Sequence, residues 1–202
     1  MQCYQIQIIL HLEKESKIMV ISSPKNYSQS NSDLVNISSG NKSKLKRFPQ
    51  NGQIQIYQSS YRGSYSSIIR DSLRNAALGR KVLLVQFMKG GVKQGIANSV
   101  KLCGNLTWVR SSHSFDQYHS EEIKNNKNLE QSIHESTNEL WNFCKKELLS
   151  GENDQIILDE IFLAIEMKII DKDDLISTLE NRFIAGDVIL TGTDIPKDLL
   201  LM

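Results

Sequence analysis

The sequence predicts an α/β fold with a mostly parallel sheet, and three stretches predict it. Between Gly52 and Gly90 the chain reads GQIQIYQSSYRGSYSSIIRDSLRNAALGRKVLLVQFMKG, in which a strand, a small-residue loop, a helix and a second strand follow one another. An apolar run at 155–161, QIILDEI, ends on two adjacent carboxylates. Another at 187–192, DVILTG, closes on a Thr-Gly turn. Segments with helical spacing separate these runs, and strands that alternate with helices pair in parallel through crossovers.

Residues 1–51 stand apart from the rest. From Ser22 to Gly40 the text is SSPKNYSQSNSDLVNISSG, dominated by Ser and Asn, and Lys42 to Arg47 adds a small basic cluster. Such a segment buries too little apolar area to offset its ordering entropy, so a flexible arm over 1–51 is expected before a single domain at 52–202. Met19 opens MVISSPKN and is a candidate start of translation, which would make residues 1–18 an upstream extension.

Within the domain, residues 53–57 place Ile54, Ile56 and Tyr57 among glutamines after Asn51-Gly52, a strand pattern. From Ser66, the residues Ile69, Leu73, Ala76 and Ala77 recur at helical steps, and Gly79 suits a left-handed helix end. Val82 to Phe87 is almost wholly apolar, as in a parallel strand covered on both faces. The glycine-containing stretch 89–104 carries a short helical pattern through Ile96, Val100 and Leu102, and Leu106 to Val109 reads as a third strand. From His119 to Ser150 the residues Leu129, Ile133, Leu140, Cys144 and Leu148 form one apolar stripe on a long helix that Gly151 ends. The run 155–161 reads as a buried strand. Asp171 caps a helix whose Leu175, Leu179 and Phe183 face inward, and Gly186 precedes the last strand.

Composition narrows the function classes. The 202 residues are 40% apolar and 23% charged, enough for one core. Lys plus Arg number 24 against 23 for Asp plus Glu, so a net charge of +1 gives no footprint for nucleic acid or for an acidic membrane. Cys3, Cys103 and Cys144 lack the paired spacing of a zinc or dithiol site, which points to a reduced cytoplasmic protein. No apolar run reaches the roughly 18 to 20 residues of a membrane helix. Residues 4–12 are apolar-rich but lack the basic leader and cleavage site of a signal peptide.

In an open parallel sheet ligands gather beyond the carboxyl ends of the strands. Here those ends are the loop Gln58 to Ser66, the segment Phe87 to Gly91, the pair Asp159-Glu160, and Thr191 to Asp194. The first loop leads into a helix whose N-terminal amides and dipole favour phosphate. An acidic pair after an apolar strand is placed as in a Walker B element, where a carboxylate holds Mg²⁺.

In these motifs the region from Gly52 to Leu200 resembles the P-loop corrinoid adenosyltransferases. The resemblance rests on VLLVQFMKG (82–90), IILDEI (156–161), VILTGTD (188–194) and the ungapped spacing from Gly52 through Arg74 to Val82. It implies a three-layer domain like that of the P-loop NTPases and transfer of the 5′-deoxyadenosyl group of ATP to the cobalt of a reduced corrinoid. It also implies a nucleotide site at Ser59, Ser60, Tyr61, Arg62, Gly63, Ser64, Tyr65, Ser66 and Lys89, with Asp159 and Glu160 holding Mg²⁺. Arg74, Trp108 and Phe115 would face the corrinoid, and a homodimer is the family's usual form. No side chain is assigned as nucleophile, because cobalt itself attacks. The resemblance implies a further segment after the last strand, where this chain ends at Met202.

The loop departs from the family pattern. TGNGKGKTT is replaced by QSSYRGSYS at 58–66, in which only Gly63 is unchanged and Arg62 stands for the first lysine. Ser64 stands where the phosphate-binding lysine belongs, and Tyr65 where the Mg²⁺-binding hydroxyl belongs. Ser59 and Tyr61 replace glycines, at a cost of roughly 1 kcal/mol each where a positive φ is needed. Loss of one charge-assisted phosphate contact removes about 1.5 to 3 kcal/mol. The expectation is therefore a weakened adenosyltransferase, with a non-catalytic corrinoid- or nucleotide-binding relative as the alternative. Nothing in the spacing of His11, His113, His119 and His134 builds a metal site, and a lone loop histidine such as His113 is ordinarily solvated.

Overall fold

A computed structural model describes residues 16–21, 51–59, 62, 66–90, 92–113, 127–196 and 199. Its centre is a seven-stranded sheet in the order β1-β2-β7-β6-β3-β5-β4. The strands are β1 (Ser16–Ile21), β2 (Ile54–Ser59), β3 (Val82–Gln86), β4 (Val100–Leu102), β5 (Leu106–Arg110), β6 (Gln155–Asp159) and β7 (Asp187–Gly192). From β2 to β5 neighbouring strands run parallel, and the two outermost strands are antiparallel to their neighbours. The described helices are α1 (Ser66–Ala77), α2 (Lys127–Ser150), α3 (Ile161–Glu166) and α4 (Lys172–Asn181). The three-layer α/β expectation holds.

Side chains of a strand alternate between faces, and the register sorts the core accordingly. On one face Val82, Leu84, Leu106, Ile157 and Ile189 pack with Ile68 and Ala76 of α1. On the other, Leu83, Val85, Val109, Ile156, Leu158, Val188 and Leu190 pack with residues of α2, α3 and α4. Both faces are covered, so β3 and β6 are buried at every position and read as continuous apolar runs.

Five sequence expectations change in detail. The sheet extends into 1–51, because Ser16–Ile21 pairs antiparallel with β2 from Ser16↔Ser59 to Ile21↔Ile54; the rest of the expected arm lies outside the described residues. Val100 and Leu102 are not helical. After a 3₁₀ turn at Ile96–Asn98 they form β4, which hairpins onto β5 through the three-residue turn 103–105, with Cys103 and Gly104 at φ 49° and 76°. The run 155–161 stops as a strand at Asp159, because Glu160 turns into the left-handed region at φ 62° and Ile161 begins α3. On α1 the buried stripe is Ile68, Ser72 and Ala76, with Ile69 and Leu73 only flanking it. Phe183 is 47% exposed rather than inward, although Leu175 and Leu179 are fully buried as expected.

The long helix α2 buries Ile133, Leu140, Cys144 and Leu148 of the expected stripe together with Thr137 and Trp141, whereas Leu129 is only partly buried. Its described part starts at Lys127, so the expected start at His119 lies outside the described residues. Asp171 caps α4 as expected, accepting from the Asp173 N–H at 2.8 Å. Cys144 is buried in the core, and burial, reinforced by Glu147, pushes its thiol pKa well up, so it is an inert thiol. Among the described residues no helix is long and apolar enough to cross a membrane.

Candidate functional site

Register assembles a polar row at the carboxyl edge of the sheet. Gln86 pairs with Asp159 on one side and Arg110 on the other, and Leu158↔Leu190 sets Thr191 beside Asp159. Residues in one row of a parallel sheet point to the same face about 4.8 Å apart, within hydrogen-bonding reach of one another's side chains. The row continues the α1 face, where apolar packing by Ile157 and Leu84 gives way to polar side chains.

Asp159 is 2% exposed and fully engaged. Its Oδ1 accepts from Thr191 Oγ1 at 2.8 Å, and its Oδ2 accepts from Gln86 Nε2 at 2.7 Å and from Lys89 Nζ at 2.8 Å. Thr191 Oγ1 in turn accepts from the Glu160 backbone N–H at 2.8 Å. This bond ties β6 to β7 just where Glu160 takes the left-handed conformation, which costs a side-chain-bearing residue about 1–2 kcal/mol.

The turn sends Glu160, also 2% exposed, toward the loop after β2. Arg62 forks across its carboxylate, with Nε to Oε1 at 3.1 Å and a terminal nitrogen to Oε2 at 2.8 Å. That terminal nitrogen also donates to the Met88 carbonyl at 3.3 Å, and Lys89 Nζ lies 3.9 Å from Glu160 Oε1. Loop, KG segment and acidic pair therefore meet in one network.

The other end of the row is aromatic and cationic. Gln86 Oε1 accepts from Trp108 Nε1 at 3.0 Å and from Arg110 Nε at 2.9 Å, and the Arg110 guanidinium lies 4.6 Å from the Trp108 ring centre. Beyond Arg110 opens a cleft of about 450 Å³ bounded by Lys93, Asn98, Ser111, Ser136 and Glu139. His113 Nδ1 is 3.1 Å from Ser136 Oγ, and partial burial lowers its pKa, so it is not the freely solvated side chain the sequence suggests.

The chain matches, over residues 50–202, the model of a family described as ATP:corrinoid adenosyltransferase BtuR/CobO/CobP. It belongs to the corrinoid adenosyltransferase family. Two corrinoid adenosyltransferases, from Escherichia coli K12 and from Escherichia coli O6:H1 strain CFT073, are each 22% identical to it over 152 residues. In both comparisons the match spans 75% of this chain and 72% of the relative.

Of the residues the family resemblance singles out, the fold brings Arg62, Lys89, Asp159 and Glu160 into direct contact and links Trp108 to them through Gln86. Ser59 is buried at the end of β2, and Ser66 is the exposed first residue of α1. Arg74 lies away from this cluster, 73% exposed and 3.7 Å from Asp71 on its own helix. Ser60, Tyr61, Gly63, Ser64, Tyr65 and Phe115 lie outside the described residues. Gln86 and Arg110 were not singled out from sequence, and Thr191 only as the start of the strand end 191–194, yet all three complete the network. The signal that finds them is register: each occupies the row of Asp159.

The Mg²⁺ that the family implies does not fit this arrangement. Mg²⁺ requires near-octahedral oxygen ligands, whereas all four carboxylate oxygens of Asp159 and Glu160 accept from protein donors. Among the described residues no group of three or more His, Cys, Asp or Glu is placed to hold a metal.

Proposed function

We propose that the protein is an ATP- and corrinoid-binding adenosyltransferase whose transfer activity is weakened at the phosphate site. In the family reaction cobalt(I) supplies the electron pair that forms the Co–C bond to the ribose 5′ carbon, and the C–O bond breaks with its electrons leaving on triphosphate. The protein's task is to hold both substrates in line and shield the reduced metal, a positioning role that requires no protein nucleophile.

The observation that carries the reading is the pairing of Arg62 with Glu160 and of Lys89 with Asp159. At this sheet edge Arg62 of the loop, the KG segment and the acidic pair are in mutual contact. Yet the two cations on hand for triphosphate are neutralised by carboxylates within the protein. With Ser64 in place of the phosphate-binding lysine, the local attraction for phosphate is reduced. Trp108 and Arg110, beside the cleft, supply the face proposed for the corrinoid. A cytoplasmic location and the family's homodimer accompany this reading.

A second reading, a non-catalytic relative that binds corrinoid or nucleotide, draws on the same two ion pairs. Cobalt(I) corrinoid adenosylation, followed spectroscopically for the wild type and for Ser64→Lys/Tyr65→Thr, separates the two. Slow but measurable turnover, accelerated in the double variant, supports the weakened enzyme. Corrinoid or ATP binding without turnover in either protein supports the binding relative, and binding of neither ligand overturns both.

A further inference from the structure

We propose that this chain has exchanged the divalent ion of its nucleotide site for two of its own cations, Arg62 and Lys89, and takes a nucleotide polyphosphate without metal. The proposal rests on the nucleotide-binding part of the reading above. It begins from charge: two carboxylates 2% exposed face one guanidinium and one ammonium, so the cluster is neutral before any ion arrives. Isolated buried carboxylates are strongly disfavoured, and their pairing here satisfies them.

Geometry places the substitution where a bridging cation would act. Lys89 Nζ stands 2.8 Å from Asp159 and 3.9 Å from Glu160, between the two acids. Arg62 closes the Glu160 carboxylate from the loop side with both forks of its guanidinium. To enter, Mg²⁺ would have to break at least one of these charge-assisted pairs and then build near-octahedral oxygen geometry from what remained. In the sequence Tyr65 stands where the family pattern has its Mg²⁺-binding hydroxyl, so the family's own hydroxyl ligand is replaced. Arg62 and Lys89 side chains remain 31% and 27% exposed, so although Glu160 and Asp159 balance their charge, both keep accessible N–H groups at the edge where a polyphosphate would lie.

The test is calorimetric and uses the full chain. ATP is titrated in buffer with EDTA and in buffer with excess Mg²⁺, and Mg²⁺ and Mn²⁺ are titrated alone. The expected results are ATP affinities that agree within about twofold in the two buffers and no saturable metal binding. Arg62→Gln and Lys89→Gln, each checked for folding by circular dichroism, should acquire a thermal stabilisation by Mg²⁺ that the wild type lacks. Saturable binding of Mg²⁺ or Mn²⁺ to the wild type, or ATP binding tightened about tenfold by Mg²⁺, overturns the exchange while leaving the nucleotide reading in place. Absence of ATP binding in both buffers overturns the nucleotide reading and the metal-free ligand with it.

Discussion

Gln86 donates a side-chain N–H to Asp159 at 2.7 Å while the oxygen of the same amide accepts from Trp108 and Arg110. The amide is 1% exposed, and its orientation is fixed because a carboxylate only accepts and the indole and guanidinium only donate. One side chain thus joins the strand ends of β5, β3 and β6. Replacing Gln86 by Leu removes three hydrogen bonds and leaves the part-buried Trp108 and Arg110 donors short of an acceptor, which should cost about 1–3 kcal/mol. Gln86→Glu should cost more, because it sets a second carboxylate beside Asp159 and breaks the donation. Urea unfolding of the three proteins gives the order wild type, Gln86→Leu, Gln86→Glu in decreasing stability; equal midpoints would refute the role of the amide.

Gly90 lies against the backbone of His113, so closely that a methyl group there would run into the His113 carbonyl. The approach joins the KG segment after β3 to the segment after β5. Gly90→Ala should destabilise the protein by about 1–3 kcal/mol, the usual cost of overpacking a contact that cannot yield. Gly95→Ala is the control, since nothing lies within 4 Å of a Cβ there, and surface changes of this kind stay within about 0.5 kcal/mol. Thermal melts of the two variants should separate clearly, and similar melts would show that the backbones move apart at little cost.

Burial lowers the His113 pKa below its ordinary value of about 6.5. The sign follows from which state binds the proton more readily. Below about pH 6.5 the unfolded chain protonates His113 first, so stability should fall as pH drops through that value and level off below the folded pKa. His113→Gln keeps a polar group near Ser136 and removes the titration. Its stability curve between about pH 7.5 and 5 should be flatter than that of the wild type. Parallel curves would assign the pH dependence to other groups.

What was legible in the sequence tracks how each element is buried. β3 and β6 lie between two helical layers, so their apolar runs are unbroken and announce themselves. Ser16–Ile21 is an edge strand whose apolar run, Ile18 to Ile21, is only four residues long and whose partner lies beyond the Ser/Asn-rich 22–50, so in the sequence it reads as part of the arm. The strand-to-helix change at Glu160 is hidden because Ile156 to Ile165 is apolar on both sides of it, and no glycine flags the positive φ. In the site, the position of an acidic pair after an apolar strand marked Asp159 and Glu160, and the family resemblance marked Arg62 and Lys89. Gln86 and Thr191 are uncharged and ordinary in strands, and they gain their role only when parallel register sets them beside Asp159.

Asp174 binds α4 to α2 by accepting from Trp141 Nε1 at 2.7 Å and from Lys145 Nζ at 2.8 Å. Its pKa is lowered, chiefly by the Lys145 hydrogen bond. A carboxylate with a depressed folded pKa contributes stability that is present above the unfolded value of about 3.9 and lost as pH falls through the folded value. Asp174 is 41% exposed, so solvent screens the Lys145 pair, and the bond to the buried indole should carry more of the coupling. A double-mutant cycle with Trp141→Phe and Asp174→Asn isolates that bond, with an expected coupling of about 1 kcal/mol at pH 7. The coupling should shrink as pH falls through the lowered folded pKa, where the carboxylate becomes protonated and accepts a weaker, neutral hydrogen bond. A coupling near zero at pH 7 would mean that this bond adds nothing to the apolar packing between the two helices.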